Sequence, residues 1–218
     1  MKKILQFLKA IKSNNNKEWF DANKEKYLEA KAEYEVFIDS LLKGIHKFDK
    51  KISSDLKGKD CTFRIYKDVR FSKDKTPYKS NFGASINPGG KKSLVAGYYL
   101  HIEPGASFLA GGVYMPEPEM LNAIRQEIDY NSAAFLKILK SSEFKKYFKG
   151  LDEDGKLKTA PKGFEKDHPQ VEILKNKHFV VSYQLSDKQV EDKSLENTIL
   201  SGFKAMHSFL EYLRGATA

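Results

Sequence analysis

Six basic side chains lie between Arg64 and Lys79 in the run Arg64-Ile65-Tyr66-Lys67-Asp68-Val69-Arg70-Phe71-Ser72-Lys73-Asp74-Lys75-Thr76-Pro77-Tyr78-Lys79, against two aspartates. Guanidinium and ammonium groups at this density suit an anion. Arginine offers a planar fork to a phosphate or carboxylate, and lysine a mobile point charge. Arg64, Arg70, Lys73, Lys75 and Lys79 are the candidate charge donors, with Tyr66, Tyr78 and Tyr99 as walls. The opposing expectation is that Asp68 and Asp74 neutralise these bases internally. A second constellation is His101 beside Glu103, two residues apart on a presumed strand. Here histidine would act as general base or acid and the carboxylate would orient it. On a strand the two Cα atoms lie roughly 7 Å apart, so contact depends on the rotamers.

The elements that must carry these groups follow from hydrophobic period. From Cys61 the odd positions Cys61, Phe63, Ile65, Val69 and Phe71 are apolar, Lys67 excepted, and the even positions are polar. Such alternation predicts a strand with Arg64, Tyr66 and Arg70 on one face. A straight strand would hold Arg64 and Arg70 about 20 Å apart, which a bulge at Lys67-Asp68 would shorten. Further strands are predicted at 82–87, 94–103, 108–115 and 179–185. Asn87-Pro88-Gly89-Gly90 and Pro104-Gly105 serve as turns. Short connections favour antiparallel pairing. Gly111-Gly112 marks a bulge or a close approach within the strand at 108–115.

Helical spacing of Ile4, Leu5, Leu8 and Ile11 predicts a first helix, closed by Ser13-Asn14-Asn15-Asn16, which also caps the next. The stripe Phe20, Tyr27, Tyr34, Phe37, Leu41, Ile45 and Phe48 predicts helix over 17–48. Pro116-Glu117-Pro118-Glu119 opens another, and Leu195–Leu213 closes the chain. The expectation is an α+β fold in one domain, 1–218. A central, mainly antiparallel meander of about four or five strands is flanked by N-terminal and C-terminal helices.

Composition sets the outer bounds. The chain has 218 residues, a net charge of +9 and 40% hydrophobic residues, enough for a core. The excess of base favours acidic partners, although charges on helix faces account for part of it. Cys61 is the single cysteine, so no intrachain disulfide forms; a buried, inert thiol in a reducing cytoplasm is expected. No apolar run reaches the roughly 20 residues that span a bilayer. The five histidines are scattered with no metal-binding spacing, and Gly89-Gly90-Lys91-Lys92-Ser93 lacks the glycine spacing of a phosphate loop. No metal and no cofactor are expected.

The run from Arg64 to Lys79 resembles the hallmark of the family called domain of unknown function 2461. The resemblance extends over nearly the whole chain. It includes Asn15-Asn16-Lys17-Glu18-Trp19-Phe20, the strand from Tyr98 to Gly105, Gly111-Gly112-Val113-Tyr114-Met115-Pro116, and Pro161-Lys162-Gly163-Phe164-Glu165-Lys166-Asp167-His168-Pro169. Lys67 departs from the arginine expected there in many relatives. The resemblance implies a single-domain layout and no established activity. It suggests one shared site, to which Lys162 and His168 are added.

The function expected from these residues is binding of a phosphorylated or other anionic small ligand, nucleotide-like in character. The alternatives are phosphate-ester hydrolysis or transfer through His101, non-sequence-specific nucleic-acid binding with tyrosines stacking on bases, and a purely structural role. Nucleic acid is the less favoured partner because no nucleic-acid motif is present. Neither membrane binding nor any oligomeric state is read from the sequence.

Overall fold

The computed structural model describes residues 1–217. Ten α-helical segments and four strands are present among them. The helices are α1 (Lys2–Ser13), α2 (Lys17–Ala22), α3 (Lys24–Ile45), α4 (Gly58–Cys61), α5 (Pro118–Tyr130), α6 (Ser132–Lys140), α7 (Ser142–Lys145), α8 (Val171–Leu174), α9 (Asp187–Glu191) and α10 (Leu195–Ala216). The strands are β1 (Phe82–Ile86), β2 (Gly97–Ile102), β3 (Ser107–Val113) and β4 (Phe179–Leu185). They form one antiparallel meander in the order β1-β2-β3-β4. The fold is α+β, as expected, with helices at both ends.

The chain divides into two compact units. The first comprises Met1–Ser93, Tyr99–Leu109 and Gln184–Ser201; the second comprises Leu94–Tyr98, Ala110–Tyr183 and the residues from Gly202 on.

In the first unit, α1 buries Ile4, Leu5, Phe7, Leu8 and Ile11. Asn16 caps α2 by accepting from the Trp19 amide, which satisfies one of the free donors of the first turn. The helix expected over 17–48 breaks at Asn23, whose side chain donates to the Trp19 carbonyl at 2.9 Å and so closes α2. Along α3 the buried row includes Tyr27, Tyr34, Ile38, Leu41 and Ile45; Ile38 takes the place expected for Phe37.

The strand expected from Cys61 is replaced by something looser. Cys61 ends α4, and the residues after it make two isolated antiparallel bridges, Thr62 with Ala84 and Tyr66 with Tyr78. Lys67 donates to the Pro77 carbonyl at 2.9 Å, but proline has no N–H to return the bond, so no ladder continues. Beyond Tyr66 the alternation fails: Phe71 is 96% exposed.

In the second unit, Pro118 opens α5 at its first turn, where its missing N–H costs nothing. Ile124 and Ile128 face inward, and Phe135, Phe144, Phe148 and Phe209 form an aromatic core. Gly112 has φ +135, and a Cβ there would lie 1.9 Å from the Phe179 carbonyl oxygen. Close approach of two strands explains this glycine. No helix among the described residues is long and apolar enough to cross a membrane.

Candidate functional site

The first unit contains a cavity of about 220 Å³ lined by Phe63, Arg64, Lys79, Asn81, Gly83 and Tyr99. Three short pieces of chain build it. The Phe63 amide donates to the Gly83 carbonyl at 3.0 Å, and the Lys79 amide to the Ile65 carbonyl at 2.8 Å. These bonds lay the segment from 63 to 65 along the segment that leads into β1. Alternation then puts Lys79, Asn81 and Gly83 on one face, while Phe82 and Ala84 turn into the core. Tyr99 comes from β2, and only the absence of a side chain at Gly83 admits its hydroxyl.

A second anchor holds this wall from the N-terminal helices. The Asn15 amide group donates to the Tyr78 carbonyl at 2.9 Å and its oxygen accepts from the Tyr78 amide at 3.0 Å. One side chain thus imitates a strand neighbour. The Tyr78 ring stacks on Phe20 at 4.0 Å, and Tyr66 meets Phe20 edge-on at 5.8 Å.

Arg64 and Lys79 line the cavity together. Neither side chain has a carboxylate or other hydrogen-bond partner among the described residues. The Lys79 ammonium lies 5.7 Å from the centre of the Phe63 ring, a favourable cation–π arrangement. Burial, and then the neighbouring Arg64 charge, hold the Lys79 pKa below the ordinary lysine value. The two cations repel each other, and an anion between them would relieve that repulsion.

Behind the cavity, one face of β2 presents a hydrogen-bonded row. The Tyr99 hydroxyl is 3.1 Å from His101 Nδ1, and His101 Nε2 is 3.1 Å from Glu103 Oε2. Ser80 donates to Glu103 Oε1 at 2.9 Å, and the Lys12 ammonium is 3.7 Å from the same oxygen. Phe108 stacks on the imidazole at 4.7 Å with planes 15° apart. Burial alone would raise the Glu103 pKa; the hydrogen bonds from His101 and Ser80 and the charges of His101 and Lys12 outweigh it and hold it below the ordinary value. Burial, with Glu103 adding to it, pushes Tyr99 up to about 12, so its hydroxyl stays protonated across the physiological range.

The residues selected from the sequence therefore separate into groups. Arg64, Lys79 and Tyr99 line the cavity. His101 and Glu103 contact each other, the rotamers permitting it, but His101, whose side chain is 12% exposed, reaches the cavity only through Tyr99. Tyr66 and Tyr78 pack on Phe20 instead. Arg70 makes a fork with Asp68, its Nε and Nη2 at 2.9 and 2.6 Å from the two carboxylate oxygens. Lys67 bonds Asp74 at 2.7 Å and Thr76 at 2.6 Å, and Lys75 bonds the Val69 carbonyl at 3.0 Å. Lys73 is exposed on the same loop. Asp68 and Asp74 thus pair with Arg70 and Lys67, whereas Lys73 and Lys75 of the same loop, and Arg64 and Lys79 on either side of it, have no carboxylate hydrogen-bond partner among the described residues.

Lys162 and His168 belong to the second unit. Lys162 is exposed. His168 uses both ring nitrogens locally: Nε2 is 2.8 Å from Asp129 Oδ1, and Nδ1 accepts from the Gln170 amide at 3.0 Å. Cys61 is fully buried, and burial, with Asp60 adding to it, pushes its thiol up to about 11, as befits an inert group.

Asn81 and Gly83 are site residues that the sequence reading passed over. Lys79, Asn81 and Gly83 recur with the period of a strand, leading into and along β1.

A family model described as conserved hypothetical protein (DUF2461) matches residues 3–212, and the chain belongs to that family. No curated protein and no solved structure matches the chain.

Proposed function

We propose that this member of the family binds a phosphorylated or otherwise anionic small molecule between Arg64 and Lys79. The observation that carries the reading is the pairing of two cations in one cavity with no carboxylate hydrogen-bonded to either among the described residues. Lys79 is half-buried and Arg64 exposed; a half-buried base that serves architecture is ordinarily paired, and one held for a ligand stays open. The Arg64 fork suits two oxygens of one phosphoryl group, Lys79 a third, and the Asn81 amide can donate as well.

Size narrows the ligand. A cavity of about 220 Å³ is below the roughly 300 Å³ at which sites for drug-sized molecules begin. It suits a phosphoryl group and a short part of the molecule attached to it. The remainder would extend past Phe63, whose ring is 39% exposed and offers a flat apolar face to a base or sugar. A mononucleotide or sugar phosphate fits that description better than a long polymer. The proposed setting is the cytoplasm, in keeping with the lone buried thiol.

Thermal-shift screening of nucleotides, sugar phosphates and short polyanions tests the reading, with Arg64→Ala as control. A stabilising compound whose effect disappears in Arg64→Ala supports it. Silence across all three classes ends it.

A further inference from the structure

The row behind the cavity has a defined polarity. A carboxylate can only accept hydrogen bonds, so the nitrogen facing Glu103, Nε2, must carry a hydrogen. In a neutral imidazole Nδ1 is then a bare acceptor, and it takes the hydrogen of the Tyr99 hydroxyl. The phenolic oxygen is left with lone pairs for the cavity, which is the wrong polarity for an anion. When the imidazole is protonated, Nδ1 donates to the phenolic oxygen instead. The hydroxyl hydrogen is released and can turn to a ligand.

We propose that Glu103, His101 and Tyr99 form a relay by which an anion seated between Arg64 and Lys79 binds together with one proton, selecting ligands that present a fully deprotonated oxygen, such as a dianionic phosphoryl group, to the Tyr99 hydroxyl. The inference rests on the anion-binding reading of the cavity. The proton comes from solvent and stays on His101; no bond of the ligand is made or broken. Tyr99 is the binding group, and His101 and Glu103 are positioning residues that act through it.

The surroundings favour this coupling. Glu103 supplies the negative charge that stabilises an imidazolium, and Ser80 holds that carboxylate in place. Phe108 fixes the ring plane without offering a charge. The opposing charges are Lys12 of α1, at 3.7 Å from Glu103, and Arg64 and Lys79 in the cavity beyond Tyr99. A bound anion offsets Arg64 and Lys79, so occupancy itself lowers the cost of charging His101.

Inorganic sulfate is the probe, because it presents deprotonated oxygens and does not itself titrate near neutrality. Calorimetric titration in two buffers of different ionisation heat, from about pH 6 to about pH 8.5, counts the protons taken up. Wild type is expected to take up about one proton per sulfate, with affinity falling about tenfold per pH unit on the alkaline side. Tyr99→Phe keeps the ring but should bind sulfate more weakly, with no uptake and a flat pH profile. Glu103→Gln should reduce the uptake, since the imidazolium loses its counter-charge. Sulfate binding to wild type without proton uptake, or uptake retained in Tyr99→Phe, overturns the relay and leaves the anion cavity standing. No sulfate binding to wild type at any pH overturns the relay, and silence of the nucleotides, sugar phosphates and polyanions as well overturns the anion cavity.

Discussion

Gly83 and Tyr99 meet so closely that a Cβ built on the glycine would lie 2.7 Å from the phenolic oxygen and 3.3 Å from the carbon that bears it. The hydroxyl cannot yield freely, because His101 Nδ1 holds it at 3.1 Å from the other side. Gly83→Ala is therefore expected to push Tyr99 off His101 as well as narrow the cavity. The cost in stability should be about 1–2 kcal/mol, typical of overpacking. Anion-induced stabilisation should be lost even where the variant remains folded. Chemical denaturation gives the first quantity and a thermal-shift titration the second. An alanine variant with unchanged stability and ligand response would show that the contact is slack.

Removing the cavity's charges separates a ligand site from architecture. Arg64 has no hydrogen-bond partner among the described residues, so Arg64→Ala should leave the ligand-free melting temperature unchanged or higher. Lys79→Met keeps the stem over Phe63 and removes the ammonium. The Lys79 pKa is depressed, so its charged form is disfavoured by folding. That cost is present below the folded pKa and fades as pH rises through the ordinary value of 10.5. Lys79→Met should accordingly raise the melting temperature at neutral pH and show no gain above about pH 11. Both variants should abolish anion-induced shifts, whereas Arg70→Ala, in an exposed fork with Asp68, should change neither quantity. A sharp fall in melting temperature for Arg64→Ala without ligand would make the basic segment architectural.

The β2 face was legible in advance because a period of two specifies which side chains share a face, and Tyr99, His101 and Glu103 obey it. The order of use along that face was not legible. Which group faces the ligand depends on the tyrosine reaching past a glycine on the neighbouring strand, a pairing that no local pattern encodes. The basic loop misled in a similar way. Charge density pointed to Arg64, Arg70, Lys73, Lys75 and Lys79, yet Asp68 and Asp74 fold back onto Arg70 and Lys67 through turns of a few residues. Helix boundaries followed from caps where a capping residue acted alone, as at Asn16. The break at Asn23 was hidden because the apolar stripe continues across it. The buried arginines of the second unit left no trace in periodicity, since a long polar side chain on a helix reads as solvated.

Arg125 is one of these. It is 6% exposed, and its Nε and Nη2 donate to the Leu174 and Asn176 carbonyls at 2.8 and 3.1 Å. The Leu174 carbonyl ends α8, where no helical partner remains, and the Asn176 carbonyl lies two residues beyond it. Arg125→Ala would strand both acceptors in a buried place. A loss of about 2–4 kcal/mol is expected. Arg125→Lys should recover only part of it, because one ammonium cannot reproduce the fork. Equilibrium urea unfolding measures both, and a loss below about 1 kcal/mol for alanine would mean that water replaces the guanidinium.

Asp152 provides a pH test in the second unit. Its Oδ1 accepts from the Ser182 hydroxyl at 3.0 Å, and its amide donates to the Val180 carbonyl at 2.8 Å. Burial is the main cause that raises its pKa above the ordinary 3.8; the Asp154 charge adds to this, while the Ser182 hydrogen bond and His178 oppose it. A carboxyl with a raised folded pKa is favoured in its neutral form by folding. Its contribution to stability is fully present below 3.8 and is lost as pH rises through the folded value. At neutral pH the carboxylate is therefore a net cost. Asp152→Asn retains the shape and the oxygen that accepts from Ser182, but carries no charge. The variant should melt at the same temperature as wild type or up to about 3 °C higher at pH 7. The difference should vanish near pH 3, where wild type is itself protonated. A variant less stable at pH 7, with the gap closing on acidification, would show that the ionised Asp152 stabilises the fold and that the charge of His178 outweighs burial.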